Sequence, residues 1–70
     1  MNKELLKGNW NILKGKVKQK WGKLTDNDIS TIDGNYDELI GHLQKAYGYD
    51  QEACEREIDS FIEESKSTRS

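Results

Sequence analysis

The chain has 70 residues, of which 33% are hydrophobic and 34% are charged, and its formal net charge is −2. A chain this short forms one small domain that buries only about 60% of its unfolded surface. Its single cysteine, Cys54, excludes an intrachain disulfide and a multi-cysteine zinc cluster. We expect a soluble, cytoplasmic protein, because the sequence contains neither an apolar run of about 18 residues nor a signal-peptide segment.

Charge is divided unequally along the chain. Residues 1–24 carry seven lysines and one glutamate, a balance of +6, whereas residues 25–70 carry four basic and twelve acidic residues, a balance of −8. The two parts can attract each other within the domain, or the basic part can present a surface to a polyanion.

Two stretches, residues 8–24 and 34–48, repeat one pattern at an offset of 26 residues. The identical pairs are Gly8 and Gly34, Asn9 and Asn35, Leu13 and Leu39, Gly15 and Gly41, and Gly22 and Gly48. Two tryptophans of the first stretch match two tyrosines of the second. This pattern indicates a duplicated helical unit.

Apolar residues in both stretches recur at helical spacing, which predicts one buried stripe on each helix. The stripes consist of Trp10, Leu13, Val17, Trp21 and Leu24, and of Tyr36, Leu39, Leu43 and Tyr47. We expect Asn9 and Asn35 to cap the two helix N-termini, with Glu38 completing a capping box in the second. Gly22 and Gly48 are expected to end the helices in the left-handed conformation.

A second helix is expected after each long one. Thr25 is the predicted N-cap of the first, with Asp28 completing a capping box, and this helix should end near Asp33. Asp50 is the predicted N-cap of the last helix, whose apolar stripe consists of Cys54, Ile58, Phe61 and Ile62. Leu5 and Leu6 are expected to cover the core from a loose turn in residues 1–8.

The pattern therefore predicts an all-α fold, a four-helix domain of two α-hairpins that pack crosswise. We expect a single domain over residues 1–64 and a frayed C-terminal tail over residues 65–70, because no apolar residue follows Ile62.

The sequence predicts no enzyme active site, no metal site and no cofactor. His42 is expected at the solvent edge of its stripe, and Cys54 is interpreted as a buried core residue rather than a redox sensor. Asp26, Asp28 and Asp37 have the spacing of a calcium loop. Thr31 stands where that loop needs its glycine, so we expect no calcium there.

The lysine-rich first helix is the one candidate binding surface for polyanions. It contains Lys14, Lys16, Lys18, Lys20 and Lys23. We favour lysines that flank the apolar stripe and are solvated or paired with acidic helices, because the run contains no arginine. The alternative is weak, non-specific contact with nucleic acid or anionic membrane lipid.

Gly15 and Gly41 lie inside the predicted helices and off the apolar stripes. Glycine in a helix costs about 1 kcal/mol relative to alanine, so a packing reason is expected. We favour close approach by another backbone segment, or simple tolerance. The alternative is a smooth patch, Gly15 and Gly41, that binds a partner.

A set of short motifs spread over about residues 2–62 is shared with a known family. These motifs are Gly8-Asn9-Trp10, Lys14-Gly15-Lys16-Val17-Lys18, Trp21 to Asp28, Ile32-Asp33-Gly34, Asp37, Leu39, Gly41 and Tyr47-Gly48-Tyr49. Through them the chain resembles the CsbD-like family of small bacterial stress-response proteins.

The resemblance implies a SAM-domain-like fold of four helices, expression under general stress, and no established activity, cofactor or substrate. We expect a non-enzymatic protein that acts through protein–protein interaction, as a monomer or a weak homo-oligomer. Phosphate binding through the lysines is the alternative. A third possibility is an anti-aggregation role for a marginally folded polar chain without a defined partner.

Overall fold

The computed structural model describes residues 2–67, and within them it is all-α, with no strand. It contains five helices rather than the four predicted, because residues 2–8 form a helix and not a loose turn. The helices are α1 (Asn2–Gly8), α2 (Trp10–Lys20), α3 (Asp26–Ile32), α4 (Tyr36–Tyr47) and α5 (Gln51–Ser67).

Asn9 separates α1 from α2 and is not the N-cap that the sequence predicted. Its side chain makes no cap hydrogen bond, and its Nδ2 instead donates to the Leu5 carbonyl at 3.0 Å. The Asn9 backbone amide donates to the same carbonyl, and the Leu13 amide donates to the Asn9 carbonyl. Since helical hydrogen bonding continues through Asn9, α1 and α2 are two segments of one helix that bends at Asn9.

The matching residue in the second unit is a true cap. Asn35 Oδ1 accepts from the Glu38 amide at 3.0 Å, which confirms the predicted cap. The predicted capping box with Glu38 is wrong, because the Asn35 amide donates to the Ile32 carbonyl at 2.8 Å instead. The helix ends at Gly48, whose φ of 74° is the expected left-handed conformation. The corresponding prediction for Gly22 is wrong, because α2 ends earlier and its C-cap is Trp21, with φ −116°.

The predicted caps of the other helices are confirmed. Thr25 and Asp28 form the reciprocal capping box of α3, with distances of 2.9 and 3.1 Å. Asp33 follows the end of α3 in the left-handed conformation, φ 47°. Asp50 Oδ1 accepts from the Ala53 amide at 2.8 Å and caps α5.

Gly34 is required in the turn between α3 and α4. Its φ is +82°, and a Cβ there would lie 3.2 Å from both Lys7 Cα and Trp10 Cβ. The bend between α1 and α2 therefore packs directly against this turn.

The predicted stripes meet in one hydrophobic core to which all five helices contribute. The Trp21 and Phe61 rings lie 5.2 Å apart within it, and Leu6 of α1 is fully buried in it. No polar or charged side chain is buried among the described residues. Burial of each large side chain stabilises the fold by about 1.5–3 kcal/mol.

The domain boundary at residue 64 remains a prediction. Residues 65–67 belong to α5, whereas residues 68–70 lie outside the described residues.

The two repeat asparagines should differ in their contribution to stability. Asn35→Ala should lower the free energy of unfolding by about 1 kcal/mol, because it removes a helix cap. Asn9→Ala should cost less, since it removes only an exposed side-chain bond to a carbonyl that already accepts a backbone amide. Urea unfolding of both variants measures the difference, and equal losses would contradict the distinction between cap and bend.

Candidate interaction surface

Three of the five candidate lysines are engaged within the domain. Lys18 Nζ lies 3.4 Å from Asp26 Oδ1, and Lys20 Nζ lies 3.7 Å from Glu57 Oε1. Such exposed ion pairs each contribute about 0–1 kcal/mol. They show that part of the basic stretch is matched to acidic residues of α3 and α5.

Two of the candidate lysines also lie over aromatic rings. Lys20 Nζ lies 5.5 Å from the centre of the Trp21 ring, and Lys23 Nζ lies 5.1 Å from that of Tyr47. The Lys23 amide also donates to the Tyr47 hydroxyl at 3.1 Å. The two contacts of Lys23 with Tyr47 join the segment that follows α2 to the end of α4.

Lys14 and Lys16 are exposed, and neither has a carboxylate within 4.0 Å among the described residues. Residues two apart on a helix point about 200° from each other. Lys14 and Lys16 therefore lie on different sides of α2 and do not form one positive stripe.

An apolar groove lies beside Lys16, where α2 and the bend meet the C-terminal half of α5. Its volume is about 210 Å³, and its floor includes the buried Leu13 and Ile62. Ile12 stands at its edge with 68% of its surface exposed, the only exposed large hydrophobic residue among those described. The full lining is Leu5, Asn9, Ile12, Leu13, Lys16, Ile62 and Ser65.

Sequence reasoning missed this groove. Ile12 lies two positions after Trp10, about 200° from it around the helix and off the buried stripe, so an aliphatic residue on the polar face was the available signal. The participation of Leu5 and Ile62 depends on the packing of α1 against α5 and has no local signal.

In the second unit, the face of α4 that corresponds to the groove side of α2 carries a polar cluster. At the offset of 26 residues, Ile12 corresponds to Glu38 and Lys16 to His42. His42 Nδ1 lies 3.3 Å from Asp28 Oδ1, and its Nε2 lies 3.7 Å from Glu38 Oε1. His42 lies at the edge of the core, as predicted, with 22% of its side chain exposed.

Asp28 is held in its charged form by this arrangement. The hydrogen bond from the Thr25 backbone amide is the strongest influence, and together with the Thr25 hydroxyl and His42 it lowers the pKa of Asp28 below 3.8. Partial burial acts in the opposite direction but does not prevail. The contact between His42 and Asp28 therefore joins α4 to α3.

Two further titratable groups, the buried Cys54 and the partly buried Tyr36, do not form a reactive site. Cys54 is fully buried, and its Sγ lies 3.7 Å from the Ile40 carbonyl oxygen, which confirms it as a core residue. Burial, followed by Asp50 and Glu55, raises the pKa of the Cys54 thiol and disfavours a redox sensor. Burial also raises the pKa of Tyr36, whose hydroxyl donates to Asp59 Oδ1 at 3.0 Å.

Gly15 and Gly41 are exposed, and a Cβ on either would have no described atom within 4 Å. The expected close approach of another backbone segment is therefore wrong. Simple tolerance and the partner-binding patch both remain compatible with this geometry.

Neither a membrane span nor a metal cluster is found in residues 2–67. No helix in this range is both long and apolar enough to cross a bilayer. No group of three or more His, Cys, Asp or Glu side chains in this range is placed to hold a metal ion.

Comparison with known proteins gives a consistent result. The model of the CsbD-like family matches residues 4–56. A UPF0337 protein of Pectobacterium atrosepticum is 47% identical over 66 residues, which cover 94% of this chain and 96% of that protein. The UPF0337 protein YjbJ of Escherichia coli O6:H1 is 51% identical over 61 residues, or 87% of this chain and 88% of YjbJ. No solved structure matches the chain significantly.

Alanine at either mid-helix glycine should stabilise the protein. Gly15→Ala and Gly41→Ala should each raise the free energy of unfolding by up to about 1 kcal/mol, since the Cβ enters open space on a helix. Gly48→Ala is the matched control and should destabilise, because its φ of 74° disfavours a side chain. Thermal and urea unfolding measure all three, and a loss at Gly15 or Gly41 would show that the site is not open.

Acid should remove the contribution of Asp28 to stability. The folded-state pKa lies below 3.8, so this contribution is complete above about pH 5 and is lost as the pH falls through the folded value. Asp28→Asn should therefore be less stable than the parent at about pH 7, and the gap should narrow at about pH 2. Urea unfolding at both pH values measures the gap, and a gap independent of pH would contradict this role.

Proposed function

This chain belongs to the CsbD-like family, and we propose that it is a non-enzymatic, cytoplasmic protein of the bacterial stress response that acts by binding another protein. The observation that carries this proposal is the exposed Ile12 at the edge of an apolar groove. A large aliphatic side chain exposed beside concave apolar surface favours a docking surface. The association with stress rests on the family resemblance.

The surroundings of the titratable groups support a non-enzymatic role. Cys54 is buried against a backbone carbonyl, and His42 lies between two carboxylates. Lys16 is the only charged side chain lining the groove among the described residues. General acid–base catalysis needs a poised proton donor or acceptor within reach of a bound substrate, and the groove offers no such pair.

The finer architecture is also a proposal. We propose that α2 with α3, and α4 with α5, form two α-hairpins packed crosswise in a SAM-domain-like manner, and that they arose from the repeated unit. Contacts between α2 and α3 and between α4 and α5 support this pairing. In this view α1 is an addition to the first hairpin.

Weak binding of nucleic acid or anionic membrane through the lysine-rich helix is the second candidate. It draws support from the balance of +6 in residues 1–24. It is the weaker candidate because Lys18, Lys20 and Lys23 already contact carboxylates or rings of the domain. Phosphate binding would weaken steeply with added salt and would depend equally on Lys14 and Lys16.

Site-specific photo-crosslinking tests the proposed function. A photoreactive residue placed at Ile12 should crosslink to a discrete protein in bacteria grown under osmotic or starvation stress. The same residue at Lys45, which is exposed on α4, is the control and should give no such product. The captured protein, once purified, should bind the parent chain and should bind Ile12→Ser at least about tenfold more weakly.

Equal crosslinking from both positions, or no protein product from position 12, would contradict a docking surface at Ile12. Anisotropy titration of labelled DNA, RNA and anionic vesicles supplies the comparison with the second candidate. Salt-sensitive binding of these polyanions, lost equally in Lys14→Gln and Lys16→Gln, would favour the second candidate instead.

A further inference from the structure

We propose that the groove beside Ile12 binds an acidic amphipathic helix of another protein. The helix inserts one apolar side chain between α2 and α5 and places a carboxylate against Lys16. This inference rests on the proposed function, because it names the chemistry of the partner at the same surface.

The size of the groove indicates what enters it. Its volume of about 210 Å³ is smaller than the roughly 300 Å³ at which small-molecule sites begin. Its apolar walls come from three helices, with Leu5 on α1, Ile12 and Leu13 on α2, and Ile62 on α5. A cleft of this size and composition suits a single large apolar side chain offered by a protein.

The charge beside the groove indicates the sign of the partner. Lys16 follows Ile12 by one helical turn, which is about 6 Å along the axis. It is exposed and lacks a carboxylate within 4.0 Å among the described residues. Glu64 lines only the adjoining depression, together with Lys16 and Lys20, and does not line the groove.

The repeat provides a second, independent indication. At the position of Lys16 the second unit has His42, which faces the carboxylate of Asp28 from the neighbouring helix. The corresponding face of α4 is thus covered by an acidic side chain, whereas the face of α2 is open. A partner carboxylate opposite Lys16 would complete in the first unit the contact that α3 makes in the second.

Other occupants fit less well. A second copy placed symmetrically on this face would offer only the same groove, whose described lining contains Lys16 and no carboxylate. Thr68-Arg69-Ser70, which follow α5 in the sequence, contain no large apolar side chain and add positive charge. A bilayer surface would leave the concave floor of the groove unfilled, whereas an inserted side chain fills it.

Two labelled model peptides test the inference. Both are amphipathic helices of about four turns with the same leucine anchors, and one has glutamate, the other lysine, one turn from each anchor. Fluorescence anisotropy measures their binding to the full chain at low salt and at about 0.15 M salt. We expect the acidic peptide to bind at least about tenfold more tightly than the basic one.

Three variants locate the binding. Ile12→Ser should weaken the acidic peptide by about tenfold through loss of apolar contact, and Lys16→Glu should weaken it similarly while favouring the basic peptide. Lys14→Gln is the matched control on the other side of α2 and should change binding less than about twofold. All three positions are exposed, and circular dichroism verifies that each variant remains folded.

Methyl NMR spectra give an independent readout. Saturating acidic peptide should shift the methyl signals of Leu5, Ile12 and Ile62, while those of Ile29 on α3 should stay in place.

Each outcome has a distinct meaning. If both peptides bind equally and Ile12→Ser weakens both, the charge inference fails while the proposed function stands. If neither peptide binds, the inference fails, and crosslinking from position 12 still decides the proposed function. If anionic vesicles bind through Ile12 and Lys16 and peptides do not, a membrane surface replaces the inference and both proposals fail.

Discussion

Among the residues that the structure describes, fifteen buried apolar side chains form one cluster to which all five helices contribute, and each helix is held in place by the side chains of the others. A domain of 70 residues with one cysteine has no disulfide to supplement such a core. The lysine-rich α2 must therefore bury one complete face, from Trp10 to Val17, despite its charge. The remaining features of the surface follow from this requirement.

Burial of that face distributes the lysines along the two borders of the core. There they reach acidic residues of α3 and α5 or lie over the rings of Trp21 and Tyr47. The opposite charges of the two parts of the chain are thus used to join helices. Lys16 is notable because it lines the apolar groove, and no carboxylate of the described residues lies within 4.0 Å of its ammonium group.

Periodicity predicted the apolar stripes, and short-range polar chemistry predicted the caps at Thr25, Asn35 and Asp50 correctly, because both depend on neighbours within one turn. Asn9 and Gly22 were assigned on the same short-range grounds as Asn35 and Gly48, and both assignments failed. The presence of α1 explains the failure at Asn9. The Asn9 amide already donates to the Leu5 carbonyl of α1, so α2 does not begin with a free first turn that needs a cap. The groove was not predictable in the same way, because it exists only where α1, α2 and α5 pack together.

The bend at Asn9 has a mechanical consequence for that groove. Leu5 and Ile12 lie on opposite sides of the bend, so the angle between α1 and α2 sets the distance between two walls of the groove. The bend packs against Gly34, where a Cβ would lie 3.2 Å from both Lys7 Cα and Trp10 Cβ, closer than ordinary van der Waals contact. The turn between α3 and α4 thus packs against the segment that joins two walls of the groove, so a residue of the second unit supports the shape of a surface in the first.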